Sequence, residues 1–265
     1  MQYQFVSEAR TKAVQHLLIH SFALSPKKML DTLQHYKLSV HYLIDSTGKI
    51  YSLVPEERVA WHAGPSFWAG KSGLNQTSVG IELEHLGYGQ TEYPKVQINA
   101  LIKLAKEIIA RHKIRSENIV GHSDIAPTAK ADPGRGFPWH TLAKNGIGLW
   151  YDLKKAKKMK ETSAAELLSL IGYEVKGKTL KASAWAFRQR FMPESVPVDK
   201  GISQREKLVF KSRQQAARLP LSEREEFLSK APAIYPPNND ISLTDPHFIK
   251  VLQAVAYQYQ EAQKS

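Results

Sequence analysis

Hydrophobic residues along this chain follow two periods, and the switches between them outline the fold. Gln15 to Phe22 is a largely apolar run with His20 near its end, which predicts a buried strand. Ser25-Pro26 then pairs an N-cap residue with proline at the first helical position, and Met29, Leu30, Leu33 and Tyr36 continue at helical spacing. Val40, Tyr42 and Ile44 fall on one strand face, Ser46-Thr47-Gly48 supplies a turn, and Ile50 to Val54 returns, so a hairpin is expected. The Gly-, Ser- and aromatic-rich stretch from Trp61 to Gln76 reads as a surface loop, and Ser78 to Leu83 resumes as a strand. Ile98, Leu101, Ile102, Ala105, Ile108 and Ile109 predict a long amphipathic helix, and Asn118-Ile119-Val120 a short buried strand running into His122. The fold class is α/β (α+β), with strands too close in sequence for a purely parallel sheet.

Beyond about Trp150 lysines cluster and strand alternation disappears. Ala164 to Ile171 predicts a helix stopped by Gly172, Leu180, Ala184, Phe187 and Phe191 a second ending before Pro193, and Phe248, Val251, Leu252, Val255 and Tyr259 a last one entered through Asp245-Pro246. Pro232 to Asp240 is Pro- and Asn-rich and reads as irregular. The division expected is a catalytic domain over 1–152, a linker over 153–162, and a small all-α domain over 163–265 with an insertion near 200–242.

Composition narrows the chemistry. No apolar run approaches the ~20 residues that span a bilayer, so no transmembrane segment is expected. The first residues lack a basic leader and an apolar signal core, so either the protein stays inside the cell or its export signal lies outside these residues. A formal net charge of +12 suits an anionic partner, but the basic residues are not interleaved with a base-stacking motif, and no nucleic-acid partner is expected. With no cysteine among 265 residues, thiolate metal sites are excluded and any metal must be held by histidine and carboxylate.

Gly121-His122-Ser123-Asp124-Ile125-Ala126-Pro127, followed by Lys130-Ala131-Asp132-Pro133-Gly134, places two candidate ligands and a cation in one loop. His122 sits at a strand end and Asp132 on the proline-rich loop after it. His20, nominated by its own strand-end position, would complete the three ligands of a catalytic zinc site. In Val79-Gly80-Ile81-Glu82-Leu83-Glu84 the strand period puts Glu82 and Glu84 on one face, and spacing does not choose between them as a general base. Lys130 is placed to stabilise an oxyanion.

His20 in its apolar strand, Ser39-Val40-His41-Tyr42, Ala60-Trp61-His62-Ala63-Gly64, Leu74-Asn75 with Thr77 to Glu84, and Gly121 to Pro127 occur in order. Together they closely resemble the zinc-dependent N-acetylmuramoyl-L-alanine amidases of the amidase type 2, peptidoglycan-recognition-protein superfamily, over roughly residues 12 to 150. That resemblance implies a central mixed β-sheet flanked by helices, with Zn2+ at the floor of a groove held by His20, His122 and Asp132. It implies Glu82, not Glu84, as acid/base and Lys130 as transition-state stabiliser. It also points to His41, Trp61, His62 and Asn75 as substrate-groove residues, and to peptidoglycan or muropeptide fragments as substrate.

The helical part is similar to the three-helix peptidoglycan-binding module attached to some of these amidases. That implies a place in the cell envelope, periplasm or outer membrane, with peripheral association, if an export signal precedes this sequence, and the cytoplasm otherwise. The alternative class is a non-catalytic peptidoglycan-recognition protein. Such binders typically lose metal ligands, and this chain keeps all three.

Overall fold

Nine short strands and eight helices make up the computed structural model, counted among the described residues, which are 4–216 and 242–264 with 218–220, 222–223, 226–227, 230, 232, 234 and 235 between them. The strands are β1 (Ser7–Ala9), β2 (His16–Phe22), β3 (Tyr42–Ile44), β4 (Ile50–Ser52), β5 (Arg58–Ala60), β6 (Phe67–Trp68), β7 (Lys71–Ser72), β8 (Ser78–Glu84) and β9 (Ile119–Gly121). The helices are α1 (Pro26–His35), α2 (Lys95–His112), α3 (His122–Ile125), α4 (Trp139–Lys144), α5 (Ala164–Ile171), α6 (Thr179–Phe191), α7 (Ile202–Ala216) and α8 (Pro246–Lys264). Among the described residues no helix is long and apolar enough to cross a membrane.

The central sheet has the order β4-β3-β8-β2-β9; β3 and β4 pair antiparallel and the other neighbours are parallel. Strand alternation gives its two faces different jobs. Leu17 and Ile19 of β2 and Val79, Ile81 and Leu83 of β8 pack with Ile98, Leu101, Ala105 and Ile108 of α2 in one apolar cluster. The intervening residues point the other way, and the parallel register sets His20 opposite Glu82 on that second face.

On that side the helical region closes the molecule. Leu18, Val120 and Ile125 share a core with Leu167, Trp185, Phe187, Phe248 and Tyr259, so the sheet and α5, α6 and α8 bury apolar area against each other. Ser163 caps α5 through a reciprocal pair: its Oγ accepts from the Glu166 N–H at 3.3 Å, and Glu166 Oε2 accepts from the Ser163 N–H at 3.0 Å. The helix stops at Gly172, whose φ of 124° suits only glycine.

A buried ion pair fixes the junction. Arg190 of α6 donates from Nη1 to Asp124 Oδ2 at 2.6 Å and from Nη2 to the Ile119 carbonyl at 3.0 Å, while Tyr173 donates to Asp124 Oδ1 at 2.5 Å. The Gly121 N–H also donates to Asp124 Oδ2 at 2.8 Å, and the guanidinium lies 4.0 Å from the centroid of the Trp139 ring. Asp124 therefore ties α6 to the loop that carries His122.

Several elements escape the sequence pattern. β1 and β5 form a separate antiparallel pair and β6 and β7 a small hairpin inside the stretch expected to be loop, each too short to show a period. α7 lies within the 200–242 stretch for which the sequence suggests an insertion. Its buried apolar positions, Ile202, Val209 and Ala216, come once every two turns, which is too sparse for a readable stripe. The expectation of irregular chain from Pro232 to Asp240 falls largely outside the described residues.

Candidate metal centre

Strand β2 delivers His20, and the turn from β9 into α3 delivers His122. The loop after α3 folds back on itself, with Ser123 N–H donating to the Asp132 carbonyl at 2.8 Å and Lys130 N–H to the Ala126 carbonyl at 3.0 Å. Gly121 makes the return possible, since a Cβ there would meet Pro133 Cδ at 2.7 Å. The result brings three ligand atoms together: His20 Nδ1 and His122 Nδ1 are 2.9 Å apart, and Asp132 Oδ2 lies 3.2 Å from His122 Nδ1 and 3.5 Å from His20 Nδ1. A tetrahedral zinc with bonds of ~2.0–2.1 Å needs ligands about 3.3 Å apart, so the donor set fits that ion.

The protonation pattern fits as well. Burial pushes the His122 imidazole down to about 4, a shift that Asp132 only partly opposes, so the ring is neutral and able to ligate at neutral pH. Asp132 is held well below the usual carboxylate range despite its burial, by His122, His20 and Lys130, and is ionised.

Behind His20 runs a hydrogen-bond chain whose polarity can be assigned from its far end. His20 Nε2 is 2.9 Å from His62 Nδ1, His62 Nε2 is 3.3 Å from Ser78 Oγ, and Ser78 Oγ is 2.8 Å from the Leu74 carbonyl oxygen. A carbonyl only accepts, so Ser78 donates to it, His62 Nε2–H donates to Ser78, and His20 Nε2–H donates to His62 Nδ1. His20 Nδ1 is left as a lone pair facing His122 and Asp132, the tautomer a metal requires. Gly80 makes room for this arrangement, since a Cβ there would sit 2.5 Å from His62 Nδ1.

The two glutamates of β8 part company. Glu84 is buried and accepts the Ser46 N–H at 2.9 Å, a structural bond. Glu82 sits beside His20 in the register, and its Oε2 is sealed from solvent with no hydrogen-bond partner. Burial first, and then the Asp132 charge, push the Glu82 carboxyl well above its ordinary value, against a smaller opposing effect of Lys130. Lys130 is partly exposed, within electrostatic reach of Glu82 and of both His122 and Asp132.

The four residues expected to line the groove have different placements. Trp61 is exposed. His62 is turned inward onto His20, and Asn75 Oδ1 accepts the backbone N–H groups of His62 and Ala63 at 3.1 and 2.8 Å, holding that loop in place. His41 has no exposed surface: its Nδ1 accepts the Gly80 N–H at 3.0 Å and its Nε2 lies 3.1 Å from both Arg10 Nη2 and the Arg58 carbonyl oxygen. Burial therefore places His41 in the wall behind the site, beyond reach of a ligand. Sequence reasoning gave no role to Asp124, Arg190 or Tyr173, and none to Glu206 of α7, which lies within electrostatic reach of Lys130, Asp132 and Glu82.

With this geometry in hand, comparison with known proteins is specific. The family profile described as N-acetylmuramoyl-L-alanine amidase matches residues 10–135. The chain is 39% identical over 215 residues to the N-acetylmuramoyl-L-alanine amidase AmiD of Escherichia coli K12, covering 71% of this chain and 78% of AmiD. It is 42% identical over 105 residues to the 1,6-anhydro-N-acetylmuramyl-L-alanine amidase AmpD of Enterobacter cloacae, covering 40% of this chain and 55% of that protein. Among solved structures, E. coli AmiD in complex with the substrate anhydro-N-acetylmuramic acid-L-Ala-D-gamma-Glu-L-Lys aligns with a TM-score of 0.63 at 38% identity, over 71% of this chain and 84% of that one. Pseudomonas aeruginosa AmpDh3 in complex with anhydromuramic pentapeptide aligns with a TM-score of 0.62 at 33% identity, over 73% and 90% of the two chains.

Proposed function

The chain belongs to the N-acetylmuramoyl-L-alanine amidase family, and from that premise we propose that it is a zinc-dependent enzyme with His20, His122 and Asp132 as metal ligands, Glu82 as acid/base and Lys130 as oxyanion stabiliser. The bond it hydrolyses is the amide between the lactyl group of N-acetylmuramic acid and the L-alanine of the peptidoglycan stem peptide. One observation carries the assignment: two imidazole nitrogens and a carboxylate oxygen spaced for a tetrahedral ion stand beside Glu82, whose Oε2 is sealed and has no hydrogen-bond partner.

Zinc bound there would supply a Lewis acid that acidifies water and polarises the scissile carbonyl. Glu82, whose burial raises its affinity for a proton, takes one from the attacking water and returns it to the leaving amine of L-alanine. The Lys130 ammonium offsets negative charge building on the carbonyl oxygen. His62 and Ser78 hold His20 in the ligating tautomer. Exposed Trp61 offers an apolar surface to the sugar or peptide.

The +12 net charge and the helical region support a place at the anionic surfaces of the cell envelope, and cell fractionation checks that placement. Mass spectrometry of soluble muramoyl-peptides after incubation, with and without chelator and zinc re-addition, tests the reaction. The expected result is free stem peptide beginning at L-alanine, lost with chelator and restored by zinc. Unchanged substrate with zinc demonstrably bound would instead favour a recognition protein.

A further inference from the structure

Helix α7 lies beyond residues 10–135, the stretch the family profile matches, yet its Glu206 comes within electrostatic reach of the metal-centre residues. Ser203, Glu206, Phe210 and Arg213 recur at i, i+3, i+7 and i+10, which puts them on one face over a length of about 15 Å. Their contacts define what that face covers. Ser203 Oγ donates to Tyr88 OH at 2.9 Å, and just before the helix the Asp199 N–H donates to Gln90 Oε1 at 2.9 Å, so this end rests on the loop after β8. Phe210 meets Tyr36, at the end of α1, edge to face with ring centroids 5.2 Å apart. Arg213 lines a cavity of about 340 Å³ together with Pro65, Phe67, Pro127 and Thr128. Glu206, between these anchors along the helix, lies within electrostatic reach of Lys130, Asp132 and Glu82. The helix thus crosses the site from one wall to the other. At the metal centre itself, His20, His122 and Asp132 retain only 0%, 6% and 8% of their exposure.

We propose that α7 is a roof that sets the substrate class, admitting short soluble muramoyl-peptide fragments to the metal centre and excluding polymeric peptidoglycan. The proposal rests on the amidase reading and deepens it. A glycan strand in the polymer continues on both sides of the residue being cut and carries neighbouring stems, so it needs a groove open along its length. A helix anchored at both walls denies that path, while a fragment with free ends needs only a brief local opening. Two of the contacts at the walls, one side-chain hydrogen bond and one edge-to-face pair between half-exposed rings, together bias a closed–open equilibrium by about ten- to a hundredfold, on top of the burial of Ile202 and Val209 in the core and the Asp199–Gln90 bond.

The test compares kcat/KM on a soluble N-acetylmuramoyl tripeptide with the rate of stem-peptide release from purified sacculi, using the full zinc-loaded chain. Wild type is expected to cut the fragment and to leave sacculi almost untouched. The Ser203→Ala/Phe210→Ala variant releases both anchors without touching the catalytic groups. It should raise sacculus cleavage about tenfold or more, with fragment cleavage held within about twofold. Val209→Asp, which places a carboxylate at a buried position of α7, forces the roof open if the two anchors are not enough. Hydrogen exchange at 202–216 reports the opening directly. Because the chain has no cysteine, Tyr36→Cys/Phe210→Cys can be bridged by a short bismaleimide, and that lock should abolish residual sacculus cleavage.

Wild type that cuts sacculi as readily as the fragment, or an opened roof with an unchanged ratio, overturns the proposal. Failure of zinc-loaded wild type on both substrates is a different result: it overturns the amidase reading and the roof with it.

Discussion

Two buried polar clusters stand on the loop system that follows β9, and they are built on opposite rules. At the junction with the helical region, both carboxylate oxygens of Asp124 carry donors, from Arg190, Tyr173 and the Gly121 backbone. At the metal centre, two imidazole Nδ1 atoms face each other at 2.9 Å, and Glu82 Oε2 is sealed without a partner. A buried polar atom left unsatisfied costs about 1–3 kcal/mol, more when charged. The first cluster is a fastener whose carboxylate is fully partnered within the fold, the Arg190 Nε alone being left over. The second keeps needs that only an ion and a substrate meet, and that difference separates a functional polar core from a structural one.

Glu82→Gln should separate the two roles most sharply. Hydrolysis is expected to fall by about 10²–10⁴-fold with metal content unchanged and thermal stability equal or higher, because the substitution removes a desolvated acid and no hydrogen bond made by its Oε2. Rates and metal analysis on one sample check it, and undiminished turnover would sink the assignment. Arg190→Met should do the reverse. Leaving Asp124 buried without its cation costs about 3–5 kcal/mol, visible as a lower denaturant midpoint, while the rate per folded molecule on soluble fragments persists.

A third change probes the chain behind His20. His62→Ala should lower zinc affinity by about 10–100-fold in a chelator competition, through loss of the group that fixes the His20 tautomer. An unchanged affinity would mean the tautomer is set elsewhere. The smallest effect is in pH. His122 in the metal-free protein takes up its proton only near about 4, so protons do not compete with metal for this ring above that range. NMR of the metal-free protein should therefore show the His122 ring staying neutral as pH falls past 6.5, the ordinary histidine value, and taking up a proton only on approach to about 4. Protonation of His122 centred at the ordinary value would contradict the buried, neutral ring.

Much of the sheet and its helices was legible because their signals are local. The runs at Gln15–Phe22 and Ser78–Leu83 match β2 and β8 within a residue, and Ala164–Ile171 with Gly172 matches α5 and its stop. The family motifs likewise nominated His20, Glu82, His122, Lys130 and Asp132. Strand alternation left Glu82 and Glu84 equivalent; the family resemblance chose Glu82, and three-dimensional context adds the physical reason, since Glu84 is occupied by the Ser46 backbone. The inward turn of His62 depends on space above Gly80, a contact across the sheet face that no period records. Asp124 and Arg190 are distant in sequence and meet only when α6 docks. Glu206 rides on a helix with a sparse apolar pattern, so neither its element nor its direction could be read in advance.

The most direct test of the central claim is an anomalous difference map, collected at the zinc absorption edge from crystals of the protein grown with zinc. The account predicts one strong peak bonded to His20 Nδ1, His122 Nδ1 and Asp132 Oδ2, with the fourth position free of protein and turned toward Glu82. A peak elsewhere with this triad empty, or a fourth protein ligand closing the ion off, would contradict it.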